Sequence, residues 1–478
     1  MRRIAIIGGG ISGLSAAFAL EQQRKKLSAP VEYVLFEATD QLGGVLVTER
    51  VNECLVEGGP DSFITEKPWA ADLCREIGLE DQLIGSNDAD RKTYILVNGR
   101  LVVLPDGLMF MVPTKILPTV LSPLFGIGTK IRMAREWFHP PHKATEDETV
   151  ASLVERHYGP EMVERLADPL LSGVYGGEAN QLSVRAVLPR FAEMESKYGS
   201  LGRAMLSARR QMAETAKAPA RPLFTSLKNG MQQMVETLAA RLTPSLLRTG
   251  HPVQAIQPLP DGWLVSARAQ SDHFHAVIVA TPAPVAAELV APFATSLSKE
   301  LSAIQYSSSV TVTLGYDQGV RSSLPPGFGF LVPRSEGTRM LACTFVHNKF
   351  PHRAPEDRAL IRCFLGGSRD EPVVSLSDEE ITEIVRRELR HILSIQAEPR
   401  FVRVYKWRGA MAQYGVGHLE RLERIDAGCR QIPGLFLAGN GYRGIGVPDC
   451  VRSGSQAAMR ALASVGVTAD ALDAVQDN

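Results

Sequence analysis

The alternation of apolar and polar positions declares a parallel sheet from the first residues. Residues 3–8 (Arg-Ile-Ala-Ile-Ile-Gly) form a short apolar run of the kind that a strand covered on both faces requires. Residues 11–24 set Ile11, Leu14 and Phe18 at helical spacing and give way to the polar stretch Glu21 to Lys26. Residues 31–37 return to a strand. Strand, helix and strand with short links predict a right-handed βαβ unit. Further on, the pattern predicts a helix over 68–85 and a hairpin over 93–104 that turns at Asn98-Gly99. It then predicts mostly helix over 148–215, a helix over 231–242, two strands within 262–280 and single strands over 309–316 and 358–367. A charged amphipathic helix over 377–394, a buried strand over 434–438 and a helix over 453–465 complete it.

The stretch 108–138 fits neither period. It is apolar (Leu108, Met109, Phe110, Met111, Ile116, Leu117, Leu121, Leu124, Phe125) but is cut by Pro113, Pro118 and Pro123. A basic amphipathic helix with Lys130, Arg132 and Arg135 follows, and then a linker over 140–147. Such a segment suits the interface of a membrane or an apolar lid, and the pattern leaves both open. No run of 18 apolar residues occurs, so no membrane-crossing helix is expected.

Composition narrows the classes. At 478 residues the chain has room for two or three domains. Lys plus Arg is 52 and Asp plus Glu is 52, a balance that argues against a nucleic-acid binder. Cysteines at 54, 74, 343, 363, 429 and 450 form no C-x-x-C pair, and a reducing compartment is expected. The chain enters its first strand at once, without a secretory apolar region, so a cytoplasmic location is expected. His139-x-x-His142 has no further ligand at metal spacing, and no metal is expected.

The candidate chemistry sits in glycines. Gly8, Gly10 and Gly13 give G-x-G-x-x-G between the first strand and its helix. The first glycine allows the turn, the second lets backbone approach a pyrophosphate, and the third lets helix and strand pack closely. The helix N-terminus adds N–H groups and positive dipole. Glu37 ends the second strand, where an acidic side chain binds ribose hydroxyls and disfavours a 2′-phosphate. A second glycine-rich stretch runs through Gly43, Gly44, Gly58 and Gly59 to Pro60, Asp61 and Ser62. A third closes the chain as Leu437-Ala438-Gly439-Asn440-Gly441-Tyr442-Arg443-Gly444-Ile445-Gly446-Val447. Two such turns can hold the two ends of an extended dinucleotide.

These motifs, with Ser172-Gly173-Val174-Tyr175-Gly176-Gly177, resemble the oxygen-dependent protoporphyrinogen and coproporphyrinogen III oxidases, within the flavin amine oxidase superfamily, over about residues 3–463. The resemblance implies an α/β fold. A discontinuous Rossmann-like FAD-binding domain would take 1–66, 223–290 and 400–465, and an α+β substrate-binding domain 67–105 and 291–399. A helical domain, membrane-associating or a lid, would take 106–222, and 466–478 would be a tail. FAD would lie along Gly8, Gly9, Gly10, Ile11, Ser12 and Gly13, with Glu37 and Ala38 at the ribose. Gly44, Val45, Gly59, Pro60, Asp61 and Ser62 would line its ribityl and flavin part, Val253 its adenine, and Gly439, Ile445, Gly446 and Val447 would close over it. Cys450 lies beside that closing stretch, where some amine oxidases carry a flavin thioether.

The implied reaction oxidises a porphyrinogen to a porphyrin by three two-electron transfers to FAD, with O2 reduced to H2O2, in haem biosynthesis. The cofactor carries that chemistry, so no catalytic side chain is nominated. Gly173, Phe328 and Leu331 would meet the tetrapyrrole, and Arg91 and Lys92 would supply charge for its propionates, since Thr93 stands where mitochondrial-type members place an arginine. Arg100, Lys115 and Arg443 are further candidate cations. A homodimer, peripheral attachment to the inner membrane face and product hand-over to a ferrochelatase-type enzyme are also compatible with the resemblance. Rival readings within the superfamily are an amine oxidase and a carotenoid desaturase. A flavin-binding scaffold without activity is a third.

Overall fold

The computed structural model describes residues 1–27, 31–109, 111–142, 146–215 and 221–467. Phe110, part of the expected linker and the tail from residue 468 lie outside them. The expected βαβ unit forms as strand Arg2–Ile7, helix Ile11–Leu27 and strand Val31–Phe36. It seeds a five-stranded parallel sheet in the order Leu247–Arg248, Val31–Phe36, Arg2–Ile7, Ala276–Val279, Leu435–Leu437. Ile4 and Ile6 pack on one face with Leu14 and Ala17, while Ala5 and Ile7 pack on the other with Ala283 and Leu435. The central strand is therefore apolar and buried from Ile4 to Ile7, as a doubly covered strand must be, with Arg2 and Arg3 at its open end.

The last helix runs Val447–Ser464, six residues earlier than the periodicity predicts. Pro448 sits in its first turn, where a missing N–H costs nothing, and polar Asp449 and Arg452 mask the apolar spacing there. This helix crosses the first one closely, since a Cβ on Gly454 would lie 2.0 Å from the Ser12 carbonyl oxygen. Both helix N-termini thus belong to one layer over the carboxyl ends of the parallel strands, where open α/β sheets bind ligands.

A seven-stranded sheet forms the second layer system. Its order is Phe401–Ala412, Tyr306–Asp317, Arg358–Gly366, Met340–Phe345, Gly329–Leu331, Thr93–Val97, Arg100–Val103. Strand Phe401–Ala412, inside the stretch 400–465 expected in the FAD-binding domain, is an edge of this sheet instead, paired along strand Tyr306–Asp317. Nearly all its residues are half-buried, so no alternation marks it. The hairpin at Asn98-Gly99 forms with φ of 50° and 72°, the left-handed pair that such a turn requires. One face of the sheet packs on helix Asp378–Leu393, which starts with a Ser377–Glu380 capping box.

The other face carries the helical region. Ile95, Leu331 and Ala412 from the sheet join Leu153, Tyr158, Met162, Leu166 and Leu171 in one core. The helix predicted over 68–85 is shorter, Trp69–Glu76, because Gly78 turns the chain at φ 82°. Leu83–Gly85 then pairs with Phe224–Leu227. The region 262–280 holds three strands rather than two.

Candidate functional site

At the first turn Gly8 adopts φ 109°, and a Cβ on Gly13 would sit 1.9 Å from the Gly8 carbonyl oxygen. Both glycines are thus required by the backbone itself. Gly10 differs, because a Cβ there meets nothing within 4 Å. The open space at Gly10, beside the N-terminus of helix Ile11–Leu27, fits a pyrophosphate approaching the backbone.

Three donors aim Glu37. Its Oε2 accepts from Gly9 N at 2.7 Å, and its Oε1 from Thr39 N and Thr39 Oγ1 at 2.9 Å each. A carboxylate has about four acceptor sites, so capacity remains for a ribose hydroxyl. Ala38 follows directly, and His251 N donates to the Glu37 carbonyl at 2.8 Å, which draws the start of strand Val253–Leu259 to the same corner.

The second glycine stretch layers onto the first. Gly43 N donates to Gly9 O at 2.8 Å, and a Cβ on Gly44 would lie 3.4 Å from Gly10 Cα. The Val45 carbonyl oxygen approaches Gly59 to 1.8 Å from where a Cβ would stand. The third stretch turns at Gly439 (φ 132°) and Gly444 (φ 124°), and Gly446 caps helix Val447–Ser464. Gly8 to Gly13, Glu37, Gly44, Val45 and Gly59 are therefore one assembly. Gly10 has the clearance and the helix termini the polarity that an extended dinucleotide needs. Cys450 is buried, and burial pushes its thiol up to about 12, which leaves little thiolate for a flavin bond.

The supports of this assembly were missed by sequence reasoning. The Gly58 carbonyl accepts from Trp407 Nε1 at 2.8 Å and Thr311 Oγ1 at 2.9 Å, and Arg362 Nη2 reaches both Gly58 O and Gly59 O. Lys349 Nζ lies 3.0 Å from both Asp61 carboxylate oxygens and 3.1 Å from Ser62 Oγ. Burial opposes the Asp61 charge, but Lys349 and Arg362 outweigh it and hold the carboxyl well below its usual range. Glu57 faces the buried Arg353 at 2.9 Å. These partners lie some 250 to 350 residues away along the chain, and no local pattern announces them.

Of the residues expected to meet the tetrapyrrole, Gly173 lies in helix Asp168–Tyr175 and faces Leu331. A Cβ on Gly173 would lie 3.7 Å from Leu331 Cδ2. Phe328 precedes strand Gly329–Leu331, is nearly buried and belongs to none of the core clusters that hold Leu331 or Phe330. Its N–H donates to the Lys92 carbonyl at 2.8 Å. Arg91 and Lys92 are exposed, with Arg91 3.9 Å from Asp88. Of the other candidate cations, Arg443 pairs with Asp426 at 2.5 Å.

A parallel sheet with two glycine turns on adjacent helix N-termini, beside a separate antiparallel-rich sheet, has the architecture of a dinucleotide-binding protein. Residues 11–462 match the family model for flavin containing amine oxidoreductase. The chain is 33% identical to a coproporphyrinogen III oxidase of Bacillus subtilis, covering 96% of this chain and 98% of that one. It is 30% identical to protoporphyrinogen oxidase 1, chloroplastic, of Arabidopsis thaliana, covering 95% and 87%. A crystal structure from Exiguobacterium sp. 255-15, provisionally named a protoporphyrinogen oxidase, superposes with TM-score 0.85 at 31% identity, covering 96% and 98%. Cyclohexylamine oxidase from Brevibacterium oxydans shares the fold at TM-score 0.69 and 19% identity, covering 97% and 99%. The chain belongs to the flavin containing amine oxidoreductase family, within its porphyrinogen oxidase group. It is an FAD oxidoreductase.

Proposed function

We propose that the protein oxidises coproporphyrinogen III, or its relative protoporphyrinogen IX, to the porphyrin in haem biosynthesis. FAD supplies the two-electron chemistry, three times per substrate, and O2 takes the electrons to give H2O2. The full-length likeness to the Bacillus coproporphyrinogen III oxidase carries the reading. Gly8 to Gly13 and Glu37 would hold the adenosine and pyrophosphate, Val253 would flank the adenine, Gly44, Val45 and Gly59 to Ser62 would flank the flavin, and Gly439 with Ile445, Gly446 and Val447 would close over it. Phe328 and Leu331 would sandwich pyrrole rings, and Gly173 would approach the macrocycle with its backbone. Arg91 and Lys92, exposed at the rim of the sheet, would meet propionates. Arg443 beside the closing turn is a poor neighbour for a cationic amine, which disfavours an amine oxidase.

The test is porphyrin fluorescence from the yellow protein in air, with each porphyrinogen offered separately. A clear rate with coproporphyrinogen III and little with protoporphyrinogen IX is expected. The reverse would make it a protoporphyrinogen oxidase, and no rate with either, in flavin-replete protein, would overturn the reading in favour of a desaturase.

The helical region is better suited to an interface than to a lid. Leu117, Leu121, Ile127, Ile131 and Phe138 stand exposed beside the exposed Arg132 and Arg135. A lid would turn such residues inward. We propose that this face rests on an anionic lipid surface. No helix among the described residues is long and apolar enough to cross a membrane.

A further inference from the structure

We propose that Gln413 and Tyr414 are positioning residues that lock the substrate side of the centre to the flavin side. The inference rests on the function proposed above. The two are neighbours in the extended chain that leaves strand Phe401–Ala412, and successive side chains of an extended chain point to opposite sides.

Gln413 reaches the helix that carries Gly173. Its Nε2 donates to the Tyr175 carbonyl at 2.6 Å and to Ser307 Oγ at 3.0 Å. Ser307 Oγ in turn donates to Gly176 O at 3.0 Å. The left-handed end of that helix, Gly176 at φ 61°, is therefore tied to the sheet.

Tyr414 reaches the closing glycine turn. Its hydroxyl donates to Asn440 O at 2.6 Å and accepts from Gly444 N at 2.8 Å, so it spans the turn from one side to the other. Its ring stacks on His418 at 4.1 Å and 14°. Burial holds the His418 ring below its usual pKa, in the neutral form, and its Nε2 lies 2.9 Å from Tyr442 O. The backbone between is fixed from the helical region, where Ser183 N donates to Tyr414 O at 2.8 Å and Asp147 Oδ2 accepts from Gly417 N at 3.0 Å. One short segment therefore sets where Gly173 stands relative to Gly444 to Val447. A reaction between two held groups is sensitive to displacements of about 1 Å, which can cost on the order of a hundredfold in rate.

The test uses holoenzyme of Tyr414→Phe, which keeps the stacked ring, and Gln413→Met, which keeps the length. Tyr414→Phe is expected to release FAD at least about fivefold faster and to slow anaerobic flavin reduction by porphyrinogen about tenfold, with its melting temperature little changed. Gln413→Met is expected to raise KM severalfold and to slow anaerobic flavin reduction severalfold, with FAD release unchanged. Wild-type FAD release and wild-type flavin reduction in Tyr414→Phe would overturn the proposal. So would equal losses in KM and kcat in both variants that simply follow a fall in melting temperature. If the wild-type holoenzyme is reduced by neither porphyrinogen, the proposed function fails, while FAD release still decides the role of Tyr414.

Discussion

Two glycines of one motif have opposite surroundings, and substitution separates their roles. A side chain at Gly13 would collide with the Gly8 carbonyl, whereas a side chain at Gly10 has open space before it. Gly13→Ala is therefore expected to abolish folded protein. Gly10→Val is expected to fold and to purify colourless, because its methyls would take the pyrophosphate position. The ratio of flavin to protein absorbance checks this, with the melting temperature of flavin-stripped wild type as reference. A yellow Gly10→Val of normal flavin content would refute the assignment of that space. The same scale explains Asp61, a buried carboxylate that stays charged because Lys349 meets both its oxygens.

At the scale of elements, the helical region is tied together by one histidine. His157, at the end of helix Val150–Tyr158, sets Nδ1 3.1 Å from Glu136 and Nε2 3.0 Å from Glu195, on two other helices. Glu136 also accepts from Ser200 Oγ at 2.8 Å and Leu201 N at 2.5 Å, so it holds the start of helix Leu201–Thr215. Burial alone would lower the His157 pKa, but the two carboxylates outweigh it and the net shift is upward. A raised histidine pKa contributes stability that is fully present below the unfolded value of about 6.5 and is lost as pH rises through the folded value. His157→Gln should therefore cost most near pH 6, about 3 kcal/mol or more, and progressively less toward alkaline pH. Melting temperatures of both proteins from pH 5.5 to 9 test it, and parallel curves would exclude the linkage.

Local signals made the first βαβ unit and the Asn98-Gly99 hairpin legible in the sequence, since each is set by residues a few positions apart. Strand Phe401–Ala412 was not legible as part of the larger sheet, because half-burial on both faces erases its alternation. The glycine turns of the site were readable from spacing. Lys349, Arg362 and Trp407 were not, because only the folded sheet brings them to Gly58 and Asp61.

For the whole molecule, the remaining question is what covers its apolar face. Leu117, Leu121, Ile127, Ile131 and Phe138 are 68%, 73%, 78%, 49% and 85% exposed, and they cluster in the stretch that also presents Arg132 and Arg135. Fully burying one such side chain is worth about 1.5–3 kcal/mol. Half-burying five of them in the headgroup boundary gives several kcal/mol, and each basic residue near an anionic surface adds about 1 kcal/mol. That sum supports reversible attachment without any crossing helix. The holoenzyme should float with vesicles containing an anionic phospholipid and less with purely zwitterionic ones, and added salt should weaken the first case because the attraction is screened. The pair Leu121→Glu and Ile127→Glu should cut the bound fraction about tenfold at unchanged flavin content, since it removes two apolar contacts and adds repulsion. Equal flotation of that variant and the wild type would show that this face does not meet lipid.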